Sequence, residues 1–399
     1  MTPKAVILGS NYFIALTLLR SLGPLGITCV AIDHTKKDAY AFKSKYVNEA
    51  LVSPHYQKDP QAFLQFLIDY AQQQDTRPVL FPCADNYVEF IDQHLDVLNS
   101  HYAIAIQTPG LYTQVMNKDT LFKLALKHNM PVPPSLFSND PQLFKKVQKE
   151  IGYPCIIKPV DSPAFSKTFY VKSFVVQDEP QLREGLAKAK AAKLEVIVQR
   201  IVPGFDDHMY TYDAYVNQHG KVSHWITCQK QRQYPINFGA STFTLQKYEP
   251  ILHELGTPFL EAIGFKGFAE IEFKKDADTG QFYLIEVNVR TTTLNYMLMK
   301  AGINFAYVHM REMMGQPLMP QAIEQDTGYA FWFEYEDLLA MRAYRKAGQL
   351  SWRQMWPKDK VKLVPAVYDN EDLAPFFGML GVLFRRFTRK IKRVITHAN

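Results

Sequence analysis

Apolar runs and amphipathic stretches take turns along the first hundred residues. Lys4 leads into an apolar run, Ala5 to Leu8, that Gly9 and Ser10 interrupt, and 4–8 reads as a buried strand. Residues 14–22 then carry apolar side chains at helical spacing, and 27–32 are apolar again up to Asp33. Strand, turn, helix and second buried strand in that order argue for a parallel sheet. A helix over 61–73 and a strand over 78–82 extend the unit. The pattern predicts a doubly wound α/β domain over residues 1–110. Asp85 and Asn86 follow the carboxyl end of the 78–82 strand. Open α/β sheets take ligands at that edge, so both are candidate substrate contacts.

The pattern then changes. Residues 117–128 read as a helix, stopped by Pro131, Pro133 and Pro134. A helix over 143–151, a strand over 154–158, a charged helix over 179–193 and a strand over 196–199 follow. Alternation across 209–229 around Gly220 predicts antiparallel strands, and 249–263 a helix. Residues 269–273 and 281–287 read as a hairpin closed by 276–280. The chain is therefore α/β in class, α+β overall. It divides at 1–110, 111–195, 196–320 and a C-terminal extension, 321–399. There the periodicity loosens among Phe331, Trp332, Phe333 and Tyr335. The last element is an amphipathic helix. Leu380, Leu383, Phe384, Phe387, Ile391, Val394 and Ile395 share one face, and Arg385, Arg386, Arg389, Lys390, Lys392 and Arg393 the other.

Composition narrows the class. The 399 residues suffice for two or three domains, and 47% apolar with 21% charged residues is ordinary for a soluble globular chain. The net charge of +6 gathers at the C-terminus and does not point to a nucleic-acid binder. Cys29, Cys83, Cys155 and Cys228 stand far apart, so there is no CxxC metal or redox motif. Buried free thiols in a reducing cytosol are expected. The N-terminal run is too short and too soon broken for a secretory signal. No segment reaches the length that spans a bilayer. A cytoplasmic location is expected.

The strongest chemical signal is Glu272, followed by Glu286, Asn288 and Arg290. Alternation puts Glu286 and Asn288 on one side of a strand, and a hairpin partner brings Glu272 beside them. Two carboxylates and an amide oxygen suit Mg²⁺, which takes hard oxygen ligands and keeps waters and phosphates for the rest. A solvated hairpin face is the plain alternative. Arg290 extends the row. Lys118 opens a helix and Lys158 ends the apolar strand 155–157; a lysine is a point charge suited to phosphate. The loop 161–167, with Ser166 and Lys167, could close over phosphates. A strand through Gln199, Arg200 and Ile201 into Pro203-Gly204 could bond an adenine edge through its backbone, with Asp206 taking ribose hydroxyls. Lys230 and Arg232 share one side of a later strand and could reach phosphate. There is no GxxxxGK[ST] loop and no complete GxGxxG.

Taken in order, Lys118, Lys158, Gln199 to Ile201, and Glu272, Glu286, Asn288 and Arg290 resemble the ATP-grasp superfamily. The resemblance implies an ATP-grasp fold behind an N-terminal pre-ATP-grasp domain. It implies ATP and Mg²⁺ or Mn²⁺ as cofactors, with Arg290, Lys230 and Arg232 as catalytic residues. Two positions depart from the pattern. The Gly-rich phosphate lid is replaced by Ser162 to Lys167 without glycine, and the usual hinge glutamate is Gln199.

Finer features are Ser44-Lys45-Tyr46, residues 82–88, the Ser/Phe lid, residues 230–235 and the aromatic C-terminal region. They resemble the carboxylate–amine ligase branch that includes bacterial D-aspartate ligase. That implies an amino-acid donor and an amine acceptor such as a muramyl-peptide precursor of the cell wall. The alternatives are another ATP-grasp ligase or a non-catalytic nucleotide-binding scaffold. The final helix has two readings: packed on the core with a solvated basic face, or lying on anionic membrane. Six basic residues within positions 385–393 favour the membrane.

Overall fold

Four strands open the chain: β1 (Ala5–Leu8), β2 (Cys29–Asp33), β3 (Glu49–Val52) and β4 (Val79–Pro82). They form a parallel sheet in the order β3-β2-β1-β4. β1 and β2 are buried on both faces, which is why they read as unbroken apolar runs. The helix Ile14–Leu22 is buried all round, because the sheet lies on one side and the helices Asn295–Ala301 and Phe305–Met313 on the other. β2 and β3 lie to one side of β1 and β4 to the other. The carboxyl ends of β1 and β4 therefore face a crevice at the switch in strand order. Asp85 begins the helix Asp85–Gln93 at that edge. The computed structural model describes residues 3–160, 162–355 and 360–396.

A second sheet is small and antiparallel. β5 (Ser135–Phe137), β6 (Cys155–Pro159), β7 (Phe174–Val176) and β8 (Val196–Arg200) lie in the order β5-β8-β6-β7. The helix Glu179–Ala191 covers it, and Gly185 sets the approach: a Cβ there would meet Ile157 Cδ1 at 2.5 Å. This unit has its own apolar core around Ile157, Phe165, Leu182 and Val198. The segment expected as a phosphate-covering loop is instead a helix, Ser162–Phe169. Phe165 is fully buried against Phe169 and Phe174, with ring centroids 4.7 and 4.9 Å away. Aromatic rings at i and i+4 make that stretch helical, despite its Ser and Pro. Asp161 lies outside the described residues.

The largest sheet carries the rest. It comprises β9 (Met209–Val216), β10 (Val222–Tyr234), β11 (Ala240–Gln246), β12 (Gly267–Lys275), β13 (Phe282–Asn288), β14 (Gln321–Ala322), β15 (Tyr329–Trp332) and β16 (Lys362–Pro365). The order is β13-β12-β9-β10-β11-β15-β16, with β14 beside β10. The aromatic segment past residue 320 supplies β15, where Phe331 is buried, and then the helix Glu334–Lys346. The final helix runs Ala374–Thr396, starting earlier than its periodicity suggests. Just before it, Arg20 Nε and Asp372 Oδ2 form a buried pair at 3.1 Å, tying the tail to the first domain. All four cysteines are free and buried. Among the described residues no helix is long and apolar enough to cross a membrane.

Candidate active site

A cavity of about 640 Å³ opens between the small sheet and the β9–β13 part of the large one. Its floor follows from register. β12 and β13 pair antiparallel with Glu272 opposite Glu286 and Glu270 opposite Asn288. All four side chains reach the cavity wall, with Arg290 just beyond. The alternation Ala-Glu-Ile-Glu-Phe along β12 buries Ile271 and turns both glutamates the same way.

Glu270 was missed by the sequence reading, although it lies two residues before Glu272 and so shares its side. Asn288 Nδ2 donates to Glu270 Oε1 at 2.9 Å, and Thr292 Oγ1 donates to Oε2 at 2.9 Å. Burial, then the charge of Glu272, pushes the Glu270 carboxyl up to about 7. An amide whose nitrogen is committed to Glu270 has its carbonyl oxygen to offer, the atom a hard cation takes.

Lysines answer the carboxylates. Lys230 Nζ lies 2.7 Å from Glu272 Oε2, and both are largely buried. Burial disfavours the Lys230 charge, but Glu272 outweighs it and holds the group above its ordinary range. Lys118 Nζ lies 3.7 Å from Glu286 Oε2. Asn117 fixes Lys118 by capping the helix Lys118–Lys127, its side chain accepting from the Asp119 and Thr120 amides. Burial would raise the Glu286 carboxyl, but Lys118, Lys230, Lys172 and Lys158 together hold it below its usual range. Lys158 shows the opposite balance. Burial and then Lys118 push its ammonium down to about 7, against a smaller pull from Glu286 and Glu272. Two lysines thus stand close together in a half-covered place, and an anion between them would relieve their repulsion.

The far end of the cavity is lined by the small sheet. Gln199 is 1% exposed and donates from Nε2 to Ser135 Oγ at 2.8 Å. Arg200 pairs with Asp276 at 3.1 Å, and Ile201 and Val202 continue the wall. Lys274, also missed from the sequence, joins this wall two residues after Glu272; its Nζ donates to Gly204 O at 2.8 Å. Burial lowers that ammonium to about 8.

Several expected residues sit elsewhere. Arg232 is not on the cavity. Its guanidinium forks onto Asp337 at 2.8 and 2.7 Å and lies over the Phe243 ring. The β10–β11 register slips on either side of Arg232, so it no longer shares a side with Lys230, and Gln233 reaches the wall instead. Asp206 lines the cavity but is 3% exposed, and its oxygens accept from Gln233 Nε2, the Asn237 amide and the Tyr344 hydroxyl. Ser166 and Lys167 stand off the wall in their helix, and Lys172 and Ser173 line it just past them. At the other end, Arg290 Nε reaches Asp85 Oδ1 at 2.6 Å. Asn86 donates to the Tyr56 hydroxyl at 2.9 Å, away from the cavity.

The donor set tests its own fit to a divalent cation. Among the described residues, no group of three or more His, Cys, Asp or Glu is gathered as a metal cage. The floor instead offers two register-paired carboxylates and an amide oxygen. That suits a hard ion which brings waters and phosphate oxygens with it.

Known proteins place this arrangement. A family model described as "Carbamoyl-phosphate synthase L chain, ATP binding domain" matches residues 117–320, about half of the chain. D-aspartate ligase of Enterococcus faecium (strain Aus0004) is 25% identical over 277 residues, taking in 66% of this chain and 65% of that protein. The chain thus spans slightly less than two thirds of that relative. Among solved structures, N5-carboxyaminoimidazole synthetase from Staphylococcus aureus superposes with a TM-score of 0.63 at 16% identity, over 82% of this chain and 81% of that one. The biotin carboxylase domain of Hydrogenobacter thermophilus 2-oxoglutarate carboxylase, solved with MgADP and bicarbonate, gives 0.63 at 17%, over 83% and 74%. With the matched segment supplying every wall of the cavity from Lys118 to Arg290, the chain belongs to the ATP-grasp superfamily, within the carbamoyl-phosphate synthase L chain ATP-binding family.

Proposed function

We propose that this protein is an ATP-dependent carboxylate–amine ligase. The observation that carries the reading is the pair Lys118 and Lys158 facing Glu272 and Glu286 in one cavity. ATP lies with its phosphates at those lysines and its adenine against Gln199 to Ile201. The Gln199 amide nitrogen is held by Ser135, which turns its oxygen toward the base. Asp206 acts through its ties to Gln233 and Asn237, shaping the wall near the ribose. Ser166 and Lys167 travel with Lys172 when the small sheet closes on the nucleotide.

Glu272, Glu286 and Asn288 would hold Mg²⁺, or Mn²⁺, and the ion would supply screening of the phosphate charge. Lys158 and Lys118 screen it from the other side. Arg290 orients the donor carboxylate, exchanging Asp85 for it, and Lys230 keeps Glu272 in place. A carboxylate oxygen attacks the γ-phosphorus, the bond to the β-phosphate oxygen breaks, and ADP leaves. A neutral amine then attacks the acyl carbon, inorganic phosphate departs, and the nitrogen gives up a proton to leave an amide. Closure keeps water from the acyl phosphate.

The likeness to D-aspartate ligase supports an amino-acid donor, D-aspartate or a close analogue, and an amine acceptor on a muramyl peptide in cell-wall synthesis. Such an acceptor is met in the cytoplasm, at the inner face of the membrane. A non-catalytic scaffold would not need to keep both lysines and the whole oxygen set. The test is a coupled ADP assay over D- and L-amino acids, with and without stem-peptide acceptors. Acceptor-dependent ADP release is expected. Release no greater than that of Lys158→Ala with every pair would end the reading.

A further inference from the structure

The first turns of the C-terminal helix, residues 374–386 of Ala374–Thr396, touch the rest of the protein with one side only. Met379 and Val382 are buried. A Cβ on Gly378 would lie 3.0 Å from the Tyr40 and Lys43 side chains, so the helix backbone sits close on the short helix Tyr40–Lys43. Arg385 donates to Lys37 O at 2.7 Å and reaches Asp38 at 3.3 Å. Ahead of the helix, Asp372 is clamped by Arg20 and by Ser44 Oγ, which donates at 2.8 Å. The start of the helix is therefore held in one orientation.

Its other side is bare. Phe377, Leu380 and Phe384 are 62%, 43% and 68% exposed. At spacings of three and four they form one stripe. Leu373 and Tyr368, whose ring meets Phe376 edge-on at 5.6 Å, add exposed apolar surface where the stripe begins. In the sequence the same spacing continues through Phe387, Ile391 and Ile395. The 23 residues hold Arg385, Arg386, Arg389, Lys390, Lys392 and Arg393 and no acidic side chain. Lys37 and Lys43, on the first-domain side of the contact, are exposed too.

The occupant must accept both the rings and the charge. A second copy would bring two strongly basic segments together, and like charges oppose that. A nucleic acid would answer the arginines and leave the phenylalanines in water. An anionic bilayer answers both, because rings enter the acyl boundary while cationic heads stay among the phosphates. We propose that this helix lays the protein on an anionic lipid surface, in the plane of the bilayer, with Phe377, Leu380 and Phe384 inserted. This inference does not rest on the ligase reading, since lipid binding is measured without turnover.

The test is sedimentation of the full chain with phosphatidylcholine vesicles, with and without phosphatidylglycerol. Binding is expected only with the anionic lipid, and it should fall as salt rises. The variant Phe377→Ser/Leu380→Ser/Phe384→Ser should bind at least about tenfold more weakly. So should Arg389→Gln/Lys390→Gln/Lys392→Gln/Arg393→Gln. Both should keep the parent's melting temperature, which separates lost docking from lost fold. Equal binding to neutral vesicles, or unchanged binding by the serine variant, would overturn the proposal. So would a dimer in solution that the serine variant converts to monomer while the parent ignores vesicles.

Discussion

Arg290 and Asp85 join two parts of the molecule that the chain keeps far apart, with Nε and Oδ1 at 2.6 Å. Asp85 starts a helix at the carboxyl edge of the first sheet, and Arg290 follows the last oxygen-bearing residue of β13. The side chain of Asp85 is about half exposed and that of Arg290 mostly covered, so the acid is the partner that an incoming carboxylate can displace. Asp85→Asn removes the charge that competes for Arg290, so KM for the donor acid should fall severalfold with a smaller change in kcat. Arg290→Lys should instead raise it, since an ammonium cannot reproduce the planar fork. Steady-state ADP release at varied donor concentration separates the two. An unchanged KM in Asp85→Asn would count against the exchange.

Lys158 should make nucleotide binding take up protons. Folded and empty, it releases its proton near 7, against an ordinary 10.5. Phosphate oxygens beside it favour the ammonium, so binding at pH 8 should draw a proton from solution and binding at pH 6 much less. Calorimetric titration with ADP in buffers of different ionisation enthalpy reads this directly. The same shift sets the sign for stability. Between about 7 and 10.5 the unfolded chain holds the extra proton, so Lys158 makes the empty protein more stable as pH rises through that window. Lys158→Met should flatten that rise in thermal melts.

Glu272→Gln should damage both activity and fold. Lys230 is 4% exposed at its side chain, and its carboxylate partner would be gone. Breaking such a buried pair costs about 3–5 kcal/mol. Urea unfolding should show that loss. Lys230→Met/Glu272→Gln should recover part of it without recovering turnover.

Arg232→Ala should behave differently from any residue of the cavity. The Arg232–Asp337 fork is buried, so its loss should also cost about 3–5 kcal/mol. Yet the molecules that remain folded should keep nearly the parent's kcat and KM at low temperature. A large fall in kcat without destabilisation would return Arg232 to the chemistry.

What the sequence made legible follows from how local each signal is. β1 and β2 could be read because both their faces are buried. The floor of the cavity could be read because alternation holds from Glu286 to Asn288, just past the register shift in β13. Glu270 obeyed the same rule and was overlooked beside the more conspicuous Glu272. Arg232 was misplaced because alternation assumes an unbroken register, and β10 slips next to it. The helix Ser162–Phe169 was hidden by its Ser and Pro, although the spacing of Phe165 and Phe169 carried the sign. β15 and β16 could not be read at all. They become strands only through partners distant in sequence, Phe243 opposite Trp332 and Phe331 opposite Val364.

The Arg20–Asp372 pair has a consequence for anyone dividing this molecule into parts. A chain cut short of Asp372 would strand a guanidinium inside the first domain, where its Nε and Nη2 now donate to Asp372 and Val367 O. Damage at the tail would thus surface as misfolding near the head. Nicking the middle of the polypeptide should leave two fragments that stay together.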